Sequence, residues 1–252
     1  MELGLKGKRV IVTGGTRGIG AAIVDGFLAE GASVAFCARK KTEVDERVAA
    51  LKARGHTVVG TVCDVADAGA YANWIEASVT ALGGLDVFVP NVSGGAKPGE
   101  EGWKAAFDID LMATVRGCEA VVPHLAASGG NIVVIASIAG LEAIGAGPSP
   151  YNTAKAGLIA YASQLGDIAM PHGVRVNTVS PGPIHVEDGF WGDVERNQAD
   201  MYKLVRERHG AARLGTAEEV ANCVVFLASS AASWVTRSNL VIDGGFCKRV
   251  QY

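Results

Sequence analysis

The sequence predicts a doubly wound α/β domain, a parallel sheet of about seven strands with helices on both faces. Three observations predict it. Short apolar, β-branched runs alternate with helix-length segments along most of the chain. Those runs are almost continuously apolar, as strands covered on both faces must be. The 252 residues are 49% hydrophobic and 19% charged, which allows one large core. No linker, low-complexity tract or short-period repeat divides them, so residues 1–252 read as one domain.

The first strand, KRVIVTGG, ends on glycine. IGAAIVDGFLAEG follows, with Ile19, Ala22, Ile23 and Phe27 at helical spacing and Gly31 as a stop. SVAFCA is the second strand and KTEVDERVAALKARG a charged amphipathic helix. TVVGTVCDV is the third strand, and Asp67 stands where it would cap the helix AGAYANWIEASVTALGG. LDVFVPN, GNIVVIAS, VRVNTVSPG and SNLVIDGG are four more strands. Helical segments over 103–127 and 151–170 separate the first three of these, and the last two are read with no helix-length segment between them. The one long irregular segment is 182–193, GPIHVEDGFWGD, and long loops in compact domains often act as lids.

Composition excludes several function classes. A net charge of -3 gives no basic footprint for nucleic acid or an anionic membrane. The five cysteines, Cys37, Cys63, Cys118, Cys223 and Cys247, are odd in number and show no C-x-x-C spacing. A disulfide framework or a zinc site is not expected, and a reducing cytoplasm is the simpler setting. The N-terminal MELGLKGKRVIVTGG lacks a signal-peptide core. The most apolar stretch, 132–147, is broken by Glu142 and several glycines and is too short to span a bilayer.

TGGTRGIG, residues 13–20, joins the first strand to the first helix. Gly14, Gly18 and Gly20 give the spacing G-x-x-x-G-x-G, with Thr16, Arg17 and Ile19 between them. Glycines allow a tight turn and close backbone approach, and the helix N–H groups then face a pyrophosphate. A glycine-rich turn with no ligand is the plainer reading; the position directly after the first strand favours the phosphate. A carboxylate at the end of the second strand would bind the 2'-hydroxyl of NAD. Ala38 stands there instead, followed by Arg39, Lys40 and Lys41, and Arg17 points to the same region. Converging cations favour a 2'-phosphate, hence NADP(H). A solvated basic helix start is the alternative, which the helix dipole disfavours.

In SPYNTAKAG, residues 149–157, Pro150 suits a helix start. Tyr151 and Lys155 then lie one turn apart on one face. Alone, such a pair is surface decoration. Hydride transfer to a carbonyl, however, needs a proton donor to the developing alkoxide. A free tyrosine, with a pKa of about 10, holds its proton too tightly to act as a base near neutrality. One ammonium at ~4 Å supplies about 4 kcal/mol toward the tyrosinate at an effective dielectric of 20.

The glycine loop, Asp64-Val65, Ser137, Tyr151-x-x-x-Lys155 and Pro181-Gly182 occur in this order. The set resembles the short-chain dehydrogenase/reductase family, in its single-domain NADP-preferring branch, from Gly7 to Gly245. The resemblance implies a Rossmann-type fold and an oxidoreductase acting on a small carbonyl or alcohol. It implies Tyr151 as proton donor and acceptor, Lys155 also holding the nicotinamide ribose, and Ser137 on the substrate oxygen. Asp64 would bond the adenine amino group, with Val65 packed nearby. Asn91 would stand beside the adenosine ribose, and Pro181, Gly182 and Ile184 would border the nicotinamide. A homotetramer or homodimer built on helices 103–127 and 151–170 is implied as well.

Three places depart from the family pattern. Pro90-Asn91-Val92-Ser93 replaces Asn-Asn-Ala-Gly, so the local turn must differ. Asp110 stands where a catalytic asparagine holds a water behind the lysine, and an ionised carboxylate can only accept hydrogen bonds. Val186 stands where a threonine often contacts the nicotinamide amide. His185, Glu187 and Asp188 lie close in sequence, yet no further histidine has ligand spacing, so a solvated loop and no metal is expected. Trp103, Phe190, Trp191, Met201 and Tyr202 either line an apolar pocket under a lid over 184–209 or belong to the core or a subunit contact. Two other functions stay open: a 3-oxoacyl-carrier reductase, and a cofactor-binding sensor or scaffold that lost turnover.

Overall fold

The structure, a computed structural model, describes residues 2–145 and 147–248. Ala146 of the apolar stretch, and the ends of the predicted domain at Met1 and 249–252, lie outside the described residues. The first half of the chain runs β1 (Arg9–Thr13), α1 (Gly18–Ala29), β2 (Ser33–Ala38), α2 (Lys41–Ala53), β3 (Val58–Val62), α3 (Ala68–Leu82) and β4 (Val87–Val89). One long helix follows in three parts: α4 (Gly99–Ala105), a π-helical segment (Ala106–Met112) and α5 (Ala113–Ala126). Then come β5 (Asn131–Ile135), α6 (Pro150–Ala169), β6 (Arg175–Pro181), β7 (Ile184–His185), α7 (Phe190–Asn197), α8 (Ala199–Arg208), β8 (Gly215–Thr216), α9 (Ala217–Ala228) and β9 (Asn239–Ile242).

Seven strands form one parallel sheet, as predicted, and their order is β3-β2-β1-β4-β5-β6-β9. Alternation along the strands divides the core between the two faces. Val10, Val12, Val34 and Phe36 pack with residues of α1 and α9 on one face. Ile11, Ala35, Cys37 and Val134 pack with residues of α3, α5 and α6 on the other. The strand order reverses between β1 and β4, which opens a crevice at the strands' carboxyl ends.

Local signals account for most boundaries. Asp67 caps α3 by accepting from the Gly69 and Ala70 N–H groups, both at 3.0 Å. Gly83 ends that helix at φ +74°. Two expectations are corrected. Three helices, not none, lie between the last two strands of the sheet, and α9 starts with a capping box between Thr216 and Glu219. The segment 182–193 is only partly irregular: β7 pairs with β8, and α7 begins at Phe190. The Gly215 N–H donates to Pro183 O at 3.0 Å and fixes that crossing.

Candidate active site

The glycine loop sits at the reversal of the sheet. Gly14 and Gly18 have φ +74° and +55°, where side chains are strained. A Cβ on Gly20 would lie 2.0 Å from Gly14 O, so the helix start packs directly on the turn. The N–H groups of Gly14 and Gly15 donate to Cys37 O at 2.9 and 3.1 Å. Asn91 braces the other side: its N–H donates to Thr13 Oγ1 at 2.9 Å, and its Nδ2 to Thr13 O at 3.1 Å. The resemblance puts this residue beside the adenosine ribose; in the structure its amide is committed to the loop itself. No side chain caps α1, so its first N–H groups face the crevice without an internal partner. Backbone donors, a dipole and a cradle too tight for side chains fit a pyrophosphate.

Ala38 ends β2, with exposed Arg39 and Lys40 beyond it and exposed Arg17 in the loop. Lys40 Nζ donates to Glu43 Oε1 at 2.7 Å, and Thr16 Oγ1 donates to Glu43 Oε2 at 3.3 Å. The Lys40 bond, with smaller help from Thr16 and Arg17, holds the Glu43 carboxyl below the usual carboxylate range. Lys41 turns away to Asp45. Arg39 has no ion pair among the described residues. Asp64 is exposed past the end of β3 and accepts from the Ala66 N–H at 3.1 Å, while Val65 beside it is buried.

The proposed proton-transfer residues meet at the start of α6. Ser149 caps the helix, and Pro150 fills its first turn as the sequence predicts. Lys155 is buried, and its Nζ lies 5.6 Å from the centre of the half-buried Tyr151 ring. That nitrogen donates to Ile135 O at 3.1 Å and lies 3.2 Å from Asp110 Oδ1. Asp110 is fully buried in the π-helical segment, and its Oδ2 accepts from the Gly94 N–H at 2.8 Å. The carboxylate therefore touches the ammonium directly. It also satisfies a backbone donor, the Gly94 N–H. The Oδ1 contact is ionic and too poorly aligned for a hydrogen bond.

Ser137 follows β5, is buried, and accepts from the Ala139 N–H at 3.2 Å. Its own O–H is left to donate elsewhere. A Cβ on Gly140 would lie 2.6 Å from Lys155 C, so the turn carrying Ser137 presses on the helix carrying Tyr151 and Lys155.

Pro181 ends β6, and the Gly182 N–H donates to Ile242 O at 2.8 Å. Ile184 is buried on β7. Val186 then returns over the glycine loop, its methyl groups 3.5–3.6 Å from where a Gly18 Cβ would stand. His185 pairs with Glu195 at 2.8 Å and meets the Tyr202 ring edge-on. Arg196 donates to Glu187 O. Three of the residues weighed for an apolar pocket under the lid, or for a core or subunit contact, are exposed. Phe190 is 63% and Met201 42% exposed, and Trp103 lies on the outer surface at 45%. A cleft of about 510 Å³ lies between the 139–149 loop and the first turns of α6, with Leu141, Glu142, Ile144 and Asn152 in its wall.

Comparison with known proteins settles the family. A family model described as enoyl-(acyl carrier protein) reductase matches residues 14–247. An isoepoxydon dehydrogenase of Penicillium expansum is 39% identical over 258 residues, covering 100% of this chain and 99% of that protein. The human dehydrogenase/reductase SDR family member 4 is 35% identical over 98% of this chain and 90% of its own. The L-sorbose reductase of Gluconobacter frateurii, solved with NADPH and L-sorbose, superposes with a TM-score of 0.90 at 30% identity, covering 99% and 100%. The chain belongs to the short-chain dehydrogenase/reductase family.

Its departures from that family are built without strain. Ser93 is not among the residues with positive φ; Gly95, at φ +80°, takes that conformation and donates its N–H to Ser93 Oγ. Pro90 gives up a donor but keeps its carbonyl in the sheet, accepting from the Ile135 N–H at 3.1 Å. Two residues that contact the candidate site residues were not singled out in the sequence. Glu43 was legible as an acid in the first turn of a helix behind a basic run. The Gly94 bond to Asp110 left no sequence signal.

Proposed function

We propose that this protein is an NADP(H)-dependent oxidoreductase that interconverts a ketone and a secondary alcohol, with Tyr151 moving the proton. The observation that carries this reading is the buried Lys155, held between Ile135 O and Asp110 with its ammonium beside the Tyr151 ring. A bound nicotinamide would supply or accept the hydride. In reduction, the Tyr151 hydroxyl gives its proton to the substrate oxygen, and Lys155 stabilises the phenolate left behind. The Ser137 O–H donates to the same oxygen as charge develops on it. In oxidation both transfers reverse. Gly14, Gly18, Ile19 and Gly20 receive the pyrophosphate at the start of α1, and Arg17 and Arg39 receive the 2'-phosphate. Asp64, Val65 and Asn91 border the adenosine end, and Pro181, Gly182 and Ile184 the nicotinamide end.

The substrate is a small carbonyl or alcohol compound with an apolar part. Residues 184–209 form a lid over it, supported by the apolar side chains of Phe190, Met201 and Leu204 left exposed on α7 and α8. We also read the protein as one cytoplasmic domain that associates with copies of itself. All five cysteines are free, and no described helix is long and apolar enough to cross a membrane. Trp103 and Phe107 on one helix and Ile168 on α6 are exposed, as a subunit contact requires. Light scattering of the purified protein reads that association directly.

The test of the main reading is NADPH consumption across a panel of ketones by the wild type and by Tyr151→Phe. The variant is expected to bind NADPH normally and to lose at least about a thousandfold in turnover, since only the proton-carrying oxygen is removed. Wild-type rates in the variant would assign the proton to another group.

A further inference from the structure

We propose that Glu43 is a built-in competitor for the cofactor's 2'-phosphate and thereby sets the preference for NADPH over NADH. The inference rests on the NADP(H) reading above and adds a residue that works against it. Glu43 lies in the first turn of α2, where the helix dipole favours an anion. It takes a hydrogen bond from Thr16 in the glycine loop and one from Lys40 just past β2. Arg17 acts on it electrostatically as well. Thr16 and Arg17 belong to the glycine loop and Lys40 follows β2, so Glu43 bridges the two segments between which the proposed 2'-phosphate site lies. In the free protein a carboxylate of the chain already occupies part of that cationic surface.

A 2'-phosphate entering the site meets Glu43 as a like charge and must share Lys40 and Thr16 with it. A 2'-hydroxyl meets no such repulsion. Glu43 therefore weakens NADPH binding selectively, a repulsive element working on one of two competing ligands. Lys40 is 70% exposed on a flexible side chain, and Arg39 has no carboxylate partner among the described residues, so cations stay available to the phosphate despite Glu43. The arrangement gives a graded preference in place of an absolute one. It also favours release of the phosphorylated cofactor after turnover.

Glu43→Gln tests this, because glutamine keeps an acceptor for Thr16 and removes the charge. Dissociation constants for NADPH and NADH are measured by fluorescence titration on the wild type and the variant, with thermal unfolding as a check on folding. The variant should bind NADPH about fivefold more tightly, the upper range for one exposed charge pair. NADH affinity should not change, and the NADPH gain should shrink at high salt. Weaker or unchanged NADPH binding in the folded variant would overturn the proposal. So would equal gains for both cofactors, and a selective loss of NADH would instead make Glu43 a ribose-hydroxyl acceptor. The wild-type ratio tests the NADP(H) reading separately, since equal wild-type affinities would reject that reading, whereas the change of ratio on substitution reports on Glu43.

Discussion

Asp110→Asn separates the charge of this residue from its shape. Lys155 Nζ lies 5.6 Å from the centre of the Tyr151 ring, a distance at which an ammonium favours a tyrosinate by about 3 kcal/mol at an effective dielectric of 20. Asp110 Oδ1 lies 3.2 Å from that nitrogen. That oxygen can therefore be no more than about 9 Å from the ring centre, and its charge opposes ionisation of the phenol by about 2 kcal/mol or more at the same dielectric. Asparagine keeps an acceptor for the Gly94 N–H and removes the opposition. The rise of alcohol oxidation with pH should therefore move to lower pH. Initial rates of NADP-dependent oxidation against pH measure this, with NADPH binding and thermal unfolding as controls. Superimposable profiles, or an upward move, would refute the electrostatic reasoning. Asp110→Ala is a different perturbation, since it strands the Gly94 N–H and a buried ammonium together. Breaking a buried pair in this way costs about 3–5 kcal/mol, so the unfolding temperature should fall by on the order of 10 °C along with turnover.

Arg39→Ala should weaken NADPH about tenfold and leave NADH unchanged, the loss of one charge-assisted contact; equal effects on both cofactors would remove Arg39 from the 2'-phosphate site. Glu219 is held at a pKa of about 2, chiefly by Arg213 and then by the Thr216 N–H, against an ordinary 4.5. A depressed folded pKa means that the stabilisation is fully present above the ordinary value and is lost as pH falls toward about 2. The deficit of Glu219→Gln in urea unfolding should therefore be widest near neutrality and should shrink below about pH 4.5, whereas a pH-independent gap would rule out the charge as its source. Hydrogen exchange over 184–209 should slow when cofactor and substrate are both bound; identical exchange with and without them would remove the case for a lid.

The elements most legible in the sequence are those whose signal is local. SVAFCA became β2 residue for residue, and Asp67 became a cap, because an apolar run and a capping side chain act within a few positions. The helix α9 carried equally local signals: Thr216 and Glu219 in capping-box spacing, then Val220, Val224 and Leu227 buried on one face. Reading the span before it as one irregular loop obscured them. At the site, Tyr151 and Lys155 could be paired because one helix turn fixes their relation. The resemblance put Asp110 behind Lys155 through a water; their direct contact could not be read. It joins residues 45 positions apart through a π-helical segment, whose extra residue per turn changes which side chains face α6. The bond from Thr16 to Glu43, across 27 positions, depends likewise on how α2 leaves β2.

The two departures that looked separate in the sequence are joined in the molecule. The turn after β4 begins with Pro90 and ends at Gly94, whose N–H meets Asp110. Between them, the N–H groups of Asn91 and Val92 both donate to Thr13 Oγ1, at the root of the glycine loop. Residues 91–94 thus form a strap with one end on the proposed phosphate cradle and the other on the anion beside Lys155. Gly94 also fits closely against the helix before Asp110, where an added Cβ would lie 2.9 Å from Ala105 O. An asparagine at 110 could accept the same N–H, but only a carboxylate also supplies charge to the buried Lys155. The turn after β4 therefore links the two places physically, and a change at either end of the strap should reach both the proposed cofactor cradle and the proposed proton-transfer residues.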